Sequence, residues 1–512
     1  MSDDNGSGKD KGTWPVRDLP PAWCWVGFDV AFSNETTSNR KLAQKSYESE
    51  GTLAVIDQGQ SKIAGYTSDT SLEHPSQLPV VVFGDHTRCV KFVDFPFVQG
   101  ADGVKVLRPR EVLDPKFAFH ALRAVALPSK GYARHYKFLS ATEFPVPPLN
   151  EQRRIVAKLE ALQSRSRRAR SALDTVPPLL EKLRQSILAA AFRGDLTKNW
   201  RAKHKDVEPA SELLKRILIE RRKKWEEAAL AKMKAKGKAP ADDGWKAMYK
   251  EPEPVDATGL PKLPEGWCWA SVDALATRVT DGTHQSPIFT EAGVPFIVIA
   301  NVIGGTIEWS SVNKWVSRAT YEENTARCVP ERGDVLYTAV GSYGVAVTVD
   351  VDRSFMFQRH IAHIKPLSTL VRSHVLAMML NAPQSKARAD EVARGVAQRT
   401  VTLGELCRFP IPVAPFEEQR RLFEYVEEGL DALRRIEKRW SALHGGLATL
   451  DRATLAKAFR GGLVQQDPND EPADVMLART HQANGVPTNG NGADPRTPRV
   501  SRGTRGARRQ EA

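Results

Sequence analysis

The chain carries one outline twice. Leu19-Pro-Pro-Ala-Trp-Cys-Trp25 recurs as Leu263-Pro-Glu-Gly-Trp-Cys-Trp269, at an offset of 244. Each copy runs through a mixed, strand-rich stretch to a proline-rich end, Phe144-Pro-Val-Pro-Pro-Leu-Asn-Glu-Gln-Arg-Arg154 in the first and Phe409-Pro-Ile-Pro-Val-Ala-Pro-Phe-Glu-Glu-Gln-Arg-Arg421 in the second. The Glu-Gln-Arg-Arg runs at 151 and 418 are 267 apart, and so are Ala191-Phe-Arg-Gly194 and Ala458-Phe-Arg-Gly461. Repetition on this scale fixes the architecture before any local motif is weighed. Two related halves are expected, each a globular region followed by a segment of set length.

Inside those segments apolar residues fall at alternating four and three spacing. They are Ile155, Leu159, Leu162, Ala169, Leu173, Val176, Leu180, Leu183, Ile187 and Ala190, with Ser166 the one polar member. The same positions moved by 267 include Leu422, Val426, Leu433, Ile436, Trp440, Leu443, Leu447 and Leu450. A 3.5-residue period held over several heptads is what two helices need to bury a shared seam. The spacing predicts long helices over 151–194 and 416–463 forming an imperfect antiparallel coiled coil. Two surface helices, each packed on its own domain, are the plainer alternative. Pro177-Pro178 predicts a kink or restart in the first helix. Gly429 and Gly445-Gly446 weaken the second, and Gly194 and Gly461 fit C-caps.

The remaining chain separates by composition. Residues 195–262 form a central block, with a very basic helix over 210–236 that reads as a solvated linker helix and an extended Lys250-Glu-Pro-Glu-Pro-Val-Asp256. Residues 1–18 and 464–512 are expected to be disordered, the latter a basic tail with seven arginines between Arg479 and Arg509. No window approaches a membrane span and the start lacks the apolar core of a signal peptide, so a cytoplasmic protein is expected. Five cysteines, odd in number and never in a C-x-x-C pair, build neither a disulfide framework nor a zinc ribbon. With 74 Lys+Arg against 61 Asp+Glu, the net charge of +13 points to an acidic partner, of which nucleic acid is the commonest.

The globular regions, 19–150 and 263–415, predict an α+β fold. Strands are expected at Leu53–Ile56, Val90–Val93 and Val335–Thr338 and over 80–83, 104–107, 295–300, 345–349 and 360–364, with helices over 116–126 and 371–380. Donor and acceptor side chains cluster in the loops. Asp85, His86, Thr87 and Arg88 form a tight polar loop near Lys91, and Arg134 and His135 interleave with Lys130, Lys137, Tyr132 and Tyr136. In the second region the candidates are Thr283, His284, Ser342, Tyr343, Arg359, Arg394, Gln398 and Arg399. Arg and Gln are the usual bidentate readers of guanine and adenine. On composition alone an ordinary hairpin turn, with Gly-Asp chosen for its backbone, is the favoured account of the first loop, and amphipathic packing rivals nucleic-acid contact for the second cluster. His360 and His363 would fall on opposite faces of a strand with no third ligand, which favours structural roles over metal binding.

No phosphate-binding loop, dinucleotide turn, Asn-Pro-Pro or Asp-Pro-Pro methylation loop or nuclease carboxylate cluster is present in the sequence. The balance moves toward binding and assembly, with no metal and no catalytic residue assigned. The organisation resembles the specificity subunit of type I restriction-modification enzymes, from Leu19 to about Leu463. The paired L-P-x-x-W-C-W starts, the Glu-Gln-Arg-Arg runs, the Ala-Phe-Arg-Gly ends and the Phe83-Gly-Asp-His-Thr-Arg88 and Gly333-Asp-Val-Leu336 segments carry it.

That resemblance implies two target recognition domains, each reading half of a split double-stranded DNA sequence, held apart by the helix pair. It implies that the helices dock methyltransferase subunits, with Ile155, Leu159, Leu162, Leu173, Leu183, Ile187, Leu422, Val426, Leu433, Trp440, Leu447 and Leu450 as seam and interface residues. It also implies a restriction subunit, and that S-adenosylmethionine, ATP and Mg2+ bind the partners and not this chain. A coiled-coil scaffold or nonspecific DNA-binding protein is the alternative.

Overall fold

The computed structural model describes residues 11–14, 18–129, 131, 133–237, 240, 242–324, 329–396 and 398–483. Its chain divides into two compact units, Met1–Leu173 with Leu443–Ala512, and Asp174–Ala442. Each unit therefore contains a globular region together with parts of both long helical segments.

In the first unit the Trp-Cys-Trp start and the proline-rich end of the repeat turn out to be partners. Cys24–Gly27 pairs antiparallel with Glu143–Val146, Cys24 opposite Val146. A four-stranded antiparallel sheet follows in the order Phe32–Asn34, Val104–Pro109, Val80–Gly84, Val90–Val93. A second sheet contains a parallel pair, Leu53–Ile56 beside Phe97–Gly100. Val80–Gly84 is buried throughout, as its unbroken apolar run requires, whereas Val90–Val93 alternates. The helix Pro115–Ala124 starts with proline in its first turn, Asp114 capping the amides of Lys116 and Phe117.

The second unit repeats this topology with other residues. Cys268–Ser271 pairs with Pro410–Val413, Cys268 opposite Val413. The antiparallel sheet runs Ala276–Asp281, Ile361–Pro366, Val335–Thr338, Ala346–Thr348, and the parallel pair is Val294–Ile297 beside Met356–Phe357. The expected strands and the helix Ser373–Leu380 are thus present, with ends moved by a few residues. His363 is buried with Nε2 2.6 Å from Asp334 Oδ2, a structural histidine.

The Glu-Gln pair of each Glu-Gln-Arg-Arg run ties helix to globular region. Glu151 accepts from the Trp23 indole at 3.1 Å and from Gln466 at 2.6 Å, while Gln152 donates to Val112 and Pro147 carbonyls and accepts from the Asp114 amide. In the second unit Glu418 accepts from Thr197 at 2.6 Å and from Arg201, and Gln419 donates to the Ala414 carbonyl. These buried polar groups are largely satisfied, so they add register rather than cost.

The helical segments behave partly as expected. Leu149–Asp174 stops and Val176–Phe192 starts, which places the two prolines in a first turn, where a missing amide costs no hydrogen bond. Phe416–Ala458 is one unbroken helix in spite of Gly445-Gly446. In the first unit Ile155 and Leu159 share a core with Leu455 and Phe459, and Arg170 reaches Asp451 at 3.3 Å. In the second, Leu422 and Val426 join the core with Leu188, and a Cβ on Gly429 would lie 3.0 Å from Ile187. Gly429 is thus a hole for Ile187 rather than a plain weakness. Leu433 is buried. Leu162, Leu173, Ile187, Trp440 and Leu447 are half-buried, and Leu183 and Leu450 are exposed, so the seam is not continuously closed within the chain.

Three expectations are corrected. The residues after Leu463 do not all form a loose tail: Ala473–Ala483 is a helix whose Ala473 and Met476 enter the first core, and Asp470 pairs with Arg154 at 2.6 Å. Residues 484–512 lie outside the described part. Near the start, Thr13 bridges Ala126 and Trp14 packs on Phe144 and Phe459, because its ring has apolar surface to cover. The central helix Ala210–Ala235 is no solvated linker. Its Ala210, Leu213 and Ile217 are fully buried in the second core, and Arg221 bonds Asp273, the Ala276 carbonyl and Tyr249.

Candidate nucleic-acid interface

Sheet order decides where the candidate loops meet. In the second unit, Ala276–Asp281 and Val335–Thr338 end at the sheet edge where Ile361–Pro366 and Ala346–Thr348 begin. Loops 282–285, 339–345 and 358–360 therefore share that edge. Thr283 bridges Gln358 and its carbonyl accepts from the Arg359 amide at 3.1 Å, while His284 lies 3.1 Å from Asp281. The Ala339 amide donates to the His360 carbonyl, joining the next loop. A hairpin then folds against it: Arg394 pairs with Thr400, Thr400 bridges Val340, and the Gly341 amide donates to Arg399. Gly395, at φ +106, makes the turn that L side chains rarely adopt. His284, Ser342, Arg359, Arg394, Gln398 and Arg399 are all exposed on this edge.

Tyr343 does not present its hydroxyl to solvent. It is largely buried, donates to Asp390 Oδ1 at 2.7 Å, and lies under Lys386 Nζ at 3.8 Å from the ring centre. The Lys386 ammonium, then the Tyr343 hydroxyl, hold the Asp390 carboxyl below its ordinary range. Tyr343 thus braces loop and hairpin on the helix Pro383–Val392 and is corrected from reader to support.

The first unit brings its loops to the corresponding edge. Asp85 donates its amide to Gly103 at 2.6 Å, and Oδ1 accepts from the Tyr136 amide at 2.7 Å. His135 Nδ1 lies 3.0 Å from the Asp85 carbonyl. The two segments singled out in the sequence are therefore in contact, but Asp85 and His135 are buried, the Asp85 carboxylate held by the Tyr136 amide and the Asp85 carbonyl by His135. Lys91 is corrected for the same reason: its side chain is 4% exposed and pairs with Asp57 at 3.2 Å. Thr87, Arg88 and Arg134 are exposed and His86 is half-buried. Arg88 takes φ +58 at the tip, an uncommon conformation for a side chain and one favoured in tight turns. Lys130 and Tyr132 lie outside the described residues.

Sequence reasoning missed Gln58. Its side chain accepts from the His86 amide at 3.2 Å and its carbonyl from Thr87 at 2.6 Å, which places the exposed Gln60 and Lys62 beside the polar loop. The turn signal Gln58-Gly-Gln-Ser-Lys62 directly after a strand was the available clue. Among the described residues no cluster of three His, Cys, Asp or Glu is arranged to hold a metal ion, and no helix is long and apolar enough to cross a membrane.

No protein-family model matches the chain. It is 22% identical over 409 residues to the specificity subunit of the type I restriction enzyme EcoBI of Escherichia coli, covering 78% of this chain and 76% of that one. It is also 22% identical over 335 residues to the specificity subunit of the type I restriction enzyme EcoDI of Escherichia coli, covering 64% of each. A solved structure from work on complex assembly and conformational transition of the type I R-M system matches 88% of this chain and 100% of its own, with a TM-score of 0.57 at 19% identity, a likeness of fold. With the paired motifs at both ends of each half, these matches make the chain similar to the specificity subunits of type I restriction enzymes in sequence and in fold.

Proposed function

We propose that this chain is the non-catalytic, DNA-reading subunit of a type I restriction-modification complex, with each unit reading one half of an asymmetric, bipartite duplex target. One observation carries the reading. Two units share a topology yet present different side chains at the corresponding sheet edge, exposed Thr87 and Arg88 in one and exposed Ser342, Arg394 and Gln398 in the other. A shared scaffold with unlike loops is what reading two different half-sites demands, since bases are distinguished by donor and acceptor pattern in the major groove. Exposed Arg88, Arg134, Arg359 and Arg394 supply phosphate or guanine contacts, and phosphate contacts give salt-dependent affinity.

In this reading the two helical segments form an antiparallel coiled coil whose length sets the spacer between half-sites, supported by the Arg170–Asp451 and Ile187–Gly429 contacts. Exposed Leu183 and Leu450 leave apolar surface for methyltransferase subunits. Adenine methylation on a flipped base, and the S-adenosylmethionine, ATP and Mg2+ that methylation and restriction use, belong to the partner subunits. Modified-base sequencing of host DNA with the gene intact and deleted tests the reading. Loss of methylation at one bipartite motif is expected. An unchanged methylome, together with equal binding of random and target duplexes by the assembled complex, would favour a scaffold.

A further inference from the structure

The second unit has another surface at the end of its central sheet away from the loops just described. There the last turns of Ala210–Ala235 stand off the sheet and leave a groove of about 940 Å³. One wall is the helix. The other is the start of Ala276–Asp281, residues 331–334 ahead of Val335–Thr338, and the end of Ile361–Pro366.

The groove is chemically two-layered. Its lining includes Met233, Met248 and Trp225, the indole fixed by Trp245 at 6.1 Å and Tyr249 at 5.3 Å between ring centres, and Met248 is 62% exposed. Lys224 and Lys232 from the helix, Lys236 at its C-cap and Arg278 from the sheet line it with positive charge, all four exposed. Among the described residues none of these four has an ion-pair partner. Lys365, by contrast, is engaged by Glu331 at 2.9 Å and Asp334 at 3.2 Å.

Charge and apolarity together select the occupant. Residues 484–512 of this chain do not fit, because their sequence holds Arg496, Arg499, Arg502, Arg505, Arg508 and Arg509 against only Asp494 and Glu511 among acidic side chains, and like charges repel. A nucleic-acid backbone would satisfy the lysines but leave methionine and tryptophan surface uncovered. A segment with carboxylates on one side and apolar anchors on the other satisfies both, and methionine-rich surfaces adapt to such anchors.

We propose that this groove docks an acidic, amphipathic segment of a protein that assembles with this chain. The proposal rests on the family reading only for the choice of partners to try. Lysine acetylation footprinting of the full chain, read by mass spectrometry, tests it with the chain alone, with the methyltransferase subunits, with the restriction subunit and with target duplex. Acetylation of Lys224, Lys232 and Lys236 should fall about tenfold at saturation with one protein subunit in the absence of DNA. A carbodiimide should then join these lysines to carboxylates of that subunit.

The variant Lys224→Glu/Lys232→Glu/Lys236→Glu should lose that protection-linked association while its circular dichroism and its association with the other subunits stay unchanged. Unchanged acetylation with every subunit overturns the proposal, and so does protection that appears with duplex alone. Protection by a subunit in a complex that binds no duplex specifically would uphold the groove and overturn the DNA-reading function instead.

Discussion

Gly461 lies against Pro20: a Cβ built on the glycine would overlap the proline ring. Gly194 and Pro264 repeat the relationship, the Cβ falling 2.8 Å from Pro264 Cγ. Both glycines have left-handed backbone, φ +73 and +72. The end of each helical segment thus packs on the Leu-Pro start of a globular region, and in the first unit that contact joins the two far parts of the chain.

Gly461→Ala is therefore expected to destabilise the first unit by more than the left-handed backbone penalty alone, about 1–2 kcal/mol, because overlap with Pro20 adds to it. Gly445→Ala, in open helix with nothing within 4 Å, should instead stabilise by up to about 1 kcal/mol. Hydrogen exchange in Cys24–Gly27 reads the first effect directly. Pro20→Ala in the Gly461→Ala background should recover the steric part, and a strictly additive double variant would mean the two residues do not interact.

Lys91 is buried against the half-buried Asp57, so removing the lysine leaves that carboxylate without its cation. Lys91→Ala is expected to cost about 3 kcal/mol in the first unit, whereas Lys91→Met with Asp57→Leu should come close to wild-type stability. Thermal unfolding of both variants separates a structural lysine from a phosphate-binding one. A Lys91→Ala chain of normal stability that has lost salt-dependent DNA affinity would show the opposite role.

His120 is buried beside Lys116, Arg123 and Glu160, and burial above all pushes its pKa down to about 4. The unfolded chain binds this proton below about pH 6.5 while the folded one does not. The neutral ring therefore supports folding above that pH, and the support is lost as pH falls from about 6.5 through about 4, on the order of 2 kcal/mol. His120→Phe should flatten that part of the first unit's pH–stability curve. An identical slope in the variant would place the proton elsewhere.

Much of this architecture was legible in the sequence because repetition and periodicity are local in kind. The strands Leu53–Ile56, Val90–Val93 and Val335–Thr338 match their apolar runs to the residue, and Pro177-Pro178 marks the helix restart. What sequence could not reveal depends on contacts far along the chain. Lys91, Asp85 and His135 looked like surface donors and acceptors until folding brought Asp57 to Lys91, the Tyr136 amide to the Asp85 carboxylate and His135 to the Asp85 carbonyl. Ala473–Ala483 has too little apolar periodicity to announce itself, and only the cover it provides through Met476 explains it. That the two units are related was legible from their shared ends, but the strand order they share was not, since their loops and strands differ in sequence between those ends.

The central claim is that each unit reads its own half-site from one sheet edge. The direct measurement is selection and sequencing of duplexes bound by the assembled complex, comparing wild type with Arg394→Ala/Gln398→Ala. Each lost bidentate contact is worth about 1–3 kcal/mol of discrimination. The account predicts a motif degenerate at one or more positions of one half-site, with the other half-site and the spacer unchanged. An unaltered motif, or uniform weakening across both half-sites, would contradict it.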